Sequence, residues 1–316
     1  MYKNFSLAGK ILFFFLLFIF FISLTKILLG SITGSYGSYG SYGSSKEGYI
    51  SKSDEFIFAT GEKVYDDFYA NIYDQLVFSD VKNQYEIGEI VNKTKPTSQS
   101  IILDIGSASG HHVATLAKKG FNVQGIDTSG AMVAKAKLLY PKYNFEIGDA
   151  LRAEQFRPHS FTHILCLYFT IYYMHDKELF FQNCFNWLKG GGYLVVHLVD
   201  RAMFDPIIPP ANPLFLLSPQ RYAENRITHS NVTFDDFKYN SNFELNEKDN
   251  SAKFIERFKN KKTGKVFRKQ EHQMYMESEE EILKMAQECG FIIQGKSDLI
   301  KSGYEYNHLY ILMKPN

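Results

Sequence analysis

The sequence predicts an α/β fold in which a mostly parallel sheet is covered by helices on both faces and interrupted by an antiparallel insertion. Between residues 100 and 199, short apolar segments alternate with longer amphipathic segments, and this alternation is typical of parallel strands joined by helices. The pattern stops after Asp200, because residues 201–230 contain five prolines and strand-like segments with a hairpin turn follow. We therefore expect one domain over residues 61–316, with a β-rich insertion at about 201–276.

The individual elements follow from periodicity and from the residues that end them. Apolar residues spaced by four predict an amphipathic helix over 62–78. Strands are predicted at 100–105, 121–126, 144–147, 162–168, 193–199, 291–294 and 308–313, and helices at 110–119, at 129–140, after Asp176 and after Ser278. Gly120 and Gly290 end two of these helices, and Ser278 forms a capping box with Glu281. Within the insertion, residues 260–264 are predicted to form the turn of a hairpin.

The N-terminus carries a segment with the length and apolarity of a membrane-spanning helix. Residues 11–30 contain a single charged residue, Lys26, and residues 8–29 reach the roughly 20 residues that a spanning helix requires. A cleaved signal peptide, whose apolar region has about 7–15 residues, is the alternative. The repeat GSYGSYGSYGSS falls in residues 31–60, which are expected to form a flexible linker. We expect a single-pass membrane anchor, and the side of the membrane that the domain occupies stays open.

The composition argues against nucleic acid as a partner and against disulfide and metal sites. The formal net charge is +1 and the basic residues are interspersed with acidic ones, so nucleic acid is not expected as a partner. Three widely separated cysteines argue against a disulfide framework and a cysteine-based zinc site. His111 and His112 are adjacent, so they fall on different faces of a helix and lack a third ligand at a usual spacing. No metal site is expected.

The strongest functional signal is a short loop between the first strand of the sheet and the helix that follows. Asp104 ends an apolar strand, and the small residues Gly106 to Gly110 lead into a helix. Small residues allow a ligand close to the backbone, and the free amides of a helix N-terminus suit a carboxylate or a phosphate. Asp127 ends the second strand and Asp149 follows the third, so both acids should lie at the same edge of the sheet, where ligands of such sheets bind.

This series of motifs resembles the class I S-adenosylmethionine-dependent methyltransferases over roughly residues 62–316. The family's pattern of an acid followed by G-x-G-x-G matches Asp104, Gly106 and Gly110, with Ala108 in place of the middle glycine. The resemblance implies a seven-stranded, Rossmann-like methyltransferase sandwich and S-adenosyl-L-methionine as cofactor. It also implies the cofactor-binding residues, which are Asp104, Gly106, Ser107, Ala108, Gly110, Asp127, Thr128, Met132, Asp149, Ala150 and Tyr168.

Two other functions remain open beside a methyltransferase. A nicotinamide-dependent oxidoreductase would carry a G-x-G-x-x-G fingerprint, but positions 108 and 111 are alanine and histidine rather than glycine. A non-catalytic, membrane-tethered module could keep the cofactor pocket without transferring a methyl group. The acceptor of an active enzyme is expected to be a small molecule or a lipid-like compound.

Candidate catalytic residues come from two strand ends. Residues 168–175 form a segment rich in aromatic side chains, which suits a cationic sulfonium. Within this segment Tyr172 and His175 are candidate catalytic residues, and Tyr168 and Tyr173 are candidates for contact with cofactor or substrate. His197, near the end of the fifth strand, is a second candidate for a general base. The antiparallel insertion is predicted to form the lid over the substrate.

Overall fold

The computed structural model describes residues 56–206, 220 and 223–316. The anchor expected at residues 8–29 and most of the linker expected at 31–60 lie outside these described residues. Within the described ranges, no helix combines the length and apolarity needed to cross a bilayer. The last residues of the expected linker form a strand instead, β1 (Ile57–Thr60), whose β-branched and aromatic residues favour extended structure and which pairs with a neighbouring sheet.

The larger sheet has seven strands and confirms the predicted Rossmann-like architecture. Its members are β2 (Ile101–Ile105), β3 (Asn122–Asp127), β4 (Asn144–Ile147), β5 (Phe161–Cys166), β6 (Leu188–Val199), β11 (Ile292–Asp298) and β12 (Asn307–Met313). They lie in the order β11-β12-β6-β5-β2-β3-β4. Strand β12 runs antiparallel to both of its neighbours, and the other strands run parallel to one another. The carboxyl ends of β2, β3 and β5 therefore meet at one edge.

Six α-helices accompany the sheet within the described residues. They are α1 (Asp67–Val77), α2 (Asp80–Thr94), α3 (His111–Lys118), α4 (Gly130–Leu139), α5 (Lys177–Trp187) and α6 (Glu279–Glu288). The side chains of Ser79, Ser129 and Asp176 cap three of these helices by accepting hydrogen bonds from backbone N–H groups. The capping box predicted at Ser278 and Glu281 is present at the start of α6.

The helix expected over 62–78 divides into a short 3-10 turn at Gly61–Val64 and helix α1, and helix α2 follows it without having been predicted. The buried face of α2 includes the polar residues Lys82, Asn83 and Glu86 beside Ile87 and Ile90. A buried polar face weakens the apolar periodicity by which an amphipathic helix is recognised, so the sequence alone did not indicate α2.

The insertion forms most of a second, five-stranded sheet. Its strands are β7 (His229–Thr233), β8 (Phe237–Asn246), β9 (Ser251–Asn260) and β10 (Val266–Tyr275), which pair antiparallel, and β1 adds in parallel to β10. The predicted hairpin turn joins β9 to β10, with the Asn260 side chain accepting hydrogen bonds from the N–H groups of Lys262 and Thr263. Helix α1 packs against this sheet through Tyr69, whose ring lies in one apolar cluster with Phe258.

Candidate active site

A cavity of about 570 Å³ lies at the carboxyl ends of β2, β3 and β5. Its lining includes the loop after β2, which we call the floor, and residues of α1 and β10. Of the eleven residues that the family resemblance assigns to the cofactor, all except Gly110 line this cavity: Asp104, Gly106, Ser107, Ala108, Asp127, Thr128, Met132, Asp149, Ala150 and Tyr168. The structure therefore brings residues from four separate segments to one site.

The loop after β2 has a backbone conformation that favours glycine. Gly106, Ala108 and Gly110 all have positive φ, at 69°, 45° and 88°, a region that residues with a side chain rarely adopt. A Cβ atom on Gly106 would lie 2.5 Å from Thr170, and one on Gly110 would lie 2.6 Å from Phe145. Gly110 thus packs closely against Phe145 and allows the loop its conformation, although Gly110 does not line the cavity.

Asp127 holds this loop against the end of β3. Its Oδ2 accepts a hydrogen bond of 2.9 Å from the N–H of Ala108, and its Oδ1 accepts one of 2.9 Å from the N–H of Ser129. Burial raises the pKa of Asp127, and the two N–H donors oppose that shift. Asp149 is held in a similar way, because its Oδ1 accepts a hydrogen bond of 2.9 Å from the N–H of Leu151.

Two buried polar atoms of residues that line the cavity lack a hydrogen-bond partner among the described residues. They are Oδ2 of Asp104 and Oγ of Ser107, both buried. Burial raises the pKa of Asp104 to about 7, and the nearby Asp127 and Glu86 add to that effect. A cationic ammonium group would satisfy the carboxyl of Asp104, and the amino-acid end of S-adenosylmethionine carries such a group. The residues present therefore fit that cofactor.

A polar cluster at the cavity, formed by Lys82, Glu86 and His112, lies next to the buried His197. Glu86 is fully buried and lies 2.6 Å from Nζ of Lys82, 3.0 Å from Nε2 of His112 and 3.8 Å from Nδ1 of His197. Burial opposes the ionisation of Glu86, but Lys82 and His112 outweigh it and hold its pKa at about 2. Burial likewise lowers the pKa of His197 to about 3.

The structure does not bring two of the three candidate catalytic residues to the cavity. His197 is fully buried, faces Asn307 at 3.1 Å and does not line the cavity. Tyr172 is also fully buried, and its hydroxyl accepts a hydrogen bond of 2.9 Å from the N–H of Val199. His175 does lie at the cavity wall, with its ring centroid 6.2 Å from that of Tyr275.

The structure adds a hydrogen-bonded series that the sequence analysis missed. The hydroxyl of Tyr173 lies 2.9 Å from Nδ1 of His272, and Nε2 of His272 lies 2.7 Å from Oε2 of Glu256. Glu256 is on β9 and His272 on β10, and both side chains point away from solvent. Polar residues at inward positions of strands that otherwise carry aromatic side chains are the signal in the sequence that indicates such a series.

The two adjacent histidines on α3 have separate partners. Nε2 of His111 lies 3.1 Å from Oδ2 of Asp74, and Nε2 of His112 lies 3.0 Å from Oε2 of Glu86. In the part of the chain that the structure describes, no three histidine, cysteine or acidic side chains are grouped in a way that could hold a metal ion.

The family comparison supports the same assignment. Residues 103–196 match the family model described as a methyltransferase domain. A ubiquinone biosynthesis O-methyltransferase from Xylella fastidiosa is 27% identical over 121 residues, which cover 36% of this chain and 48% of the relative. The chain thus spans about half the length of this curated relative.

Solved structures share the fold. The CcbJ methyltransferase from Streptomyces caelestis superposes with a TM-score of 0.61 and 15% identity, over 81% of this chain and 100% of that one. CalS10, an amino pentose methyltransferase from Micromonospora echinaspora solved with S-adenosylmethionine bound, gives 0.55 and 17%, over 78% and 96%. Both have the α/β sandwich described above. Residues 103–196 thus carry a methyltransferase domain, and the described residues share the fold of these two solved methyltransferases.

Proposed function

We propose that the chain transfers a methyl group from S-adenosylmethionine to a small-molecule acceptor. The observation that carries the proposal is the cavity itself, which is lined by the loop at 106–109, Asp127 and Asp149 together with the rings of Tyr65, Tyr69 and Tyr73. Its volume of about 570 Å³ falls in the range of small-molecule sites. The ubiquinone biosynthesis O-methyltransferase named above acts in small-molecule metabolism by its printed name, which supports an acceptor of this kind, and a lipid-like acceptor stays within the proposal.

The residues of the cavity floor have separate roles toward the cofactor. Asp104 and the loop that starts at Gly106 would hold the amino-acid end. Asp127 would accept hydrogen bonds from the ribose hydroxyls. Asp149 would accept one from the adenine amino group, and Met132, buried at the cavity, would pack against the adenine ring. When bound, S-adenosylmethionine supplies an electrophilic methyl group on a sulfonium.

The aromatic wall contributes positioning and the exclusion of water. Tyr65, Tyr69 and Tyr73 lie in edge contacts with one another, with ring centroids 5.5 to 6.4 Å apart. Aromatic faces attract a cationic group such as a sulfonium, and an enclosed wall keeps a nucleophile aligned with the methyl group, which supplies much of the rate in such reactions. The second sheet contributes His272 and Tyr275 to the cavity lining, and we place the acceptor beside them.

Transfer of a labelled methyl group tests the proposal. The full chain is incubated with S-adenosylmethionine that carries a tritiated methyl group and with a small-molecule extract, and label is measured in the extractable compounds. We expect labelled products together with demethylated cofactor, and a strong loss of both with Asp127→Ala. Cofactor binding without any transfer would contradict the catalytic part and indicate a binding module, and binding of NADH or NADPH in its place would indicate an oxidoreductase.

We also propose that residues 8–29 anchor this domain to a membrane, on the apolarity of the sequence alone. Separation of cell membranes from soluble material, followed by a carbonate wash, tests this point. The full chain is expected to stay with the membranes after the wash. Its release into the soluble fraction would contradict the anchor and leave the methyltransferase assignment unchanged.

A further inference from the structure

We propose that Tyr173, His272 and Glu256 form a proton relay that removes the proton from a phenolic hydroxyl of the methyl acceptor. This inference rests on the proposed function, because it concerns the acceptor side of the same cavity. It assigns a catalytic role to Tyr173, which contacts the acceptor, and a positioning and proton-accepting role to the two residues behind it.

The geometry defines the direction in which the proton moves. Tyr173 lines the cavity and is 36% exposed, whereas His272 is 2% exposed and Glu256 is fully buried. A carboxylate can only accept, so the proton between His272 and Glu256 resides on Nε2 of the imidazole. Nδ1 of the neutral ring is then an acceptor, and the hydroxyl of Tyr173 donates to it at 2.9 Å. The relay thus leads from the cavity surface into the protein.

Glu256 can stabilise a positive charge on His272. Burial opposes the ionisation of Glu256, but His272, Tyr239 and Gln270 outweigh it and lower its pKa. Its Oε1 accepts hydrogen bonds from the hydroxyls of Tyr239 at 2.6 Å and Tyr69 at 3.2 Å, and its Oε2 faces Gln270 and His272. The carboxylate of Glu256 lies 2.7 Å from Nε2 of His272, where it would pair with the imidazolium that the proposed transfer forms.

The surroundings of the relay suit a flat, aromatic acceptor. The rings of Tyr65, Tyr69 and Phe254 lie 5.6 to 5.8 Å from the ring of His272. Aromatic rings pack well in such edge and tilted arrangements. Both oxygens of Glu256 are occupied by donors from the protein, so this carboxylate offers no acceptor to a cationic amine. A phenol matches both the ring wall and the need for a base.

The proposed step balances in protons and electrons. The hydroxyl proton of the acceptor passes to the oxygen of Tyr173 while the proton of Tyr173 passes to Nδ1 of His272. The products are a phenolate and an imidazolium paired with Glu256. The phenolate oxygen then supplies the electron pair for its bond to the methyl carbon, and the pair of the broken carbon–sulfur bond stays on sulfur. No oxidant or reductant is required.

The ionisation of a bound phenol tests the relay without any turnover. 4-Nitrophenol absorbs visible light only as the phenolate, so its apparent pKa can be read while it is bound to the full chain. We expect the wild-type chain to raise the ionisation constant of the bound probe by at least about tenfold, which is one pKa unit. Tyr173→Phe and His272→Gln should each remove that increase.

A matched control variant alters a similar cluster of tyrosine, carboxylate and histidine that lies outside the cavity. The hydroxyl of Tyr310 donates to Glu279 at 3.0 Å, and Glu279 also contacts His308, but none of these three residues lines the cavity. Tyr310→Phe should leave the ionisation of bound 4-nitrophenol unchanged. If the wild-type chain binds the probe without shifting its ionisation, or if Tyr173→Phe retains the shift, the relay is wrong.

Calorimetry with S-adenosylmethionine separates the relay from the proposed function. Tyr173→Phe and His272→Gln are expected to bind the cofactor as the wild-type chain does, which also shows that both variants are folded. Binding of cofactor but not of 4-nitrophenol by the wild-type chain would overturn the phenolic acceptor. Failure of the wild-type chain to bind the cofactor would instead overturn the proposed function.

Discussion

The carboxylate of Asp127 accepts a hydrogen bond of 2.9 Å from the backbone N–H of Ala108. Ala108 has a φ of 45°, a left-handed conformation that is unfavourable for alanine. The hydrogen bond therefore stabilises the loop where the family's usual glycine is absent. One acid at the end of β3 thus both fixes the loop beside it and remains at the cavity surface, where we place the ribose of the cofactor.

Removal of this carboxylate should weaken cofactor binding. Asp127→Ala deletes the acceptor proposed for the ribose and frees the loop at Ala108, so we expect the Kd for S-adenosylmethionine to rise by about tenfold or more. Asp127→Asn retains one acceptor oxygen and should lose less affinity. Asp249→Ala removes a carboxylate from the turn between β8 and β9, outside the cavity, and should bind as the wild type does. Isothermal calorimetry measures all three, and equal Kd values for Asp127→Ala and wild type would contradict the assignment.

Cofactor affinity should also depend on pH through Asp104. The pKa of this buried acid is raised to about 7 in the folded chain, so at pH 6 it is mostly protonated before the cofactor binds. An ammonium group beside it favours the carboxylate, so binding should release a proton and affinity should increase as the pH rises from about 5 toward 7. Above that range the dependence should level off.

Calorimetry in buffers with different heats of ionisation measures this proton release. Asp104→Asn cannot ionise, so it should bind more weakly and with an affinity that varies little over the same range of pH. A wild-type affinity that is constant between pH 5 and 8, or that falls as the pH rises, would contradict the proposed contact between Asp104 and the ammonium group.

Two glycines should respond in opposite ways to a single added methyl group. A Cβ atom on Gly110 would lie 2.6 Å from the ring of Phe145 at a φ of 88°, so Gly110→Ala should destabilise the fold by about 1–3 kcal/mol or more. Gly88 is in helix α2, with no atom within 4 Å of an added Cβ, so Gly88→Ala should stabilise by up to about 1 kcal/mol. Urea unfolding of both variants provides the measurement, and a Gly110→Ala variant as stable as wild type would contradict the close packing.

The buried side chain of Arg268 should stabilise the packing of the second sheet against the start of α1. Arg268 is 1% exposed, donates to Asp66 at 2.7 Å and to the carbonyl of Val64 at 3.1 Å, and its guanidinium lies 5.0 Å from the ring of Phe68. We expect Arg268→Ala to lower the free energy of unfolding by at least about 2 kcal/mol, because the buried carbonyl of Val64 and the buried Oε1 of Gln270 lose their donor.

Thermal unfolding measures that change, and an exposed arginine on the neighbouring strand serves as its control. Arg257 on β9 is exposed, so Arg257→Ala should change the unfolding temperature little. Equal unfolding temperatures for Arg268→Ala and Arg257→Ala would show that the contacts to Asp66 and Val64 do not hold the sheet in place.

The cofactor side of the site could be predicted because its residues follow strand ends in a fixed order. Asp104 and Asp127 lie at the ends of β2 and β3 and Asp149 follows β4, and parallel strands bring such residues to one edge. The acceptor side has no local signature. Tyr173 and His272 are 99 residues apart in the chain, and only the packing of the second sheet against the 3-10 turn at Thr170–Tyr173 brings them together.

His197 lies near helix α2, an element that the sequence did not indicate. A histidine near the end of β6 was expected at the cavity, but His197 does not line it; Glu86 of helix α2 does, and its Oε1 lies 3.8 Å from Nδ1 of His197. Because α2 buries Lys82 and Glu86 in place of apolar residues, its periodicity was too weak to recognise. His197 is fully buried and does not line the cavity, so the structure does not bring it to the position expected of a general base.

Calorimetric titration of the full chain with S-adenosylmethionine is the most direct test of the central claim. We predict saturable binding of one molecule per chain, weakened by Asp127→Ala and by Asp104→Asn, with no comparable binding of NADH or NADPH. Absence of any binding of S-adenosylmethionine by the folded chain would contradict both the site and the activity proposed for it.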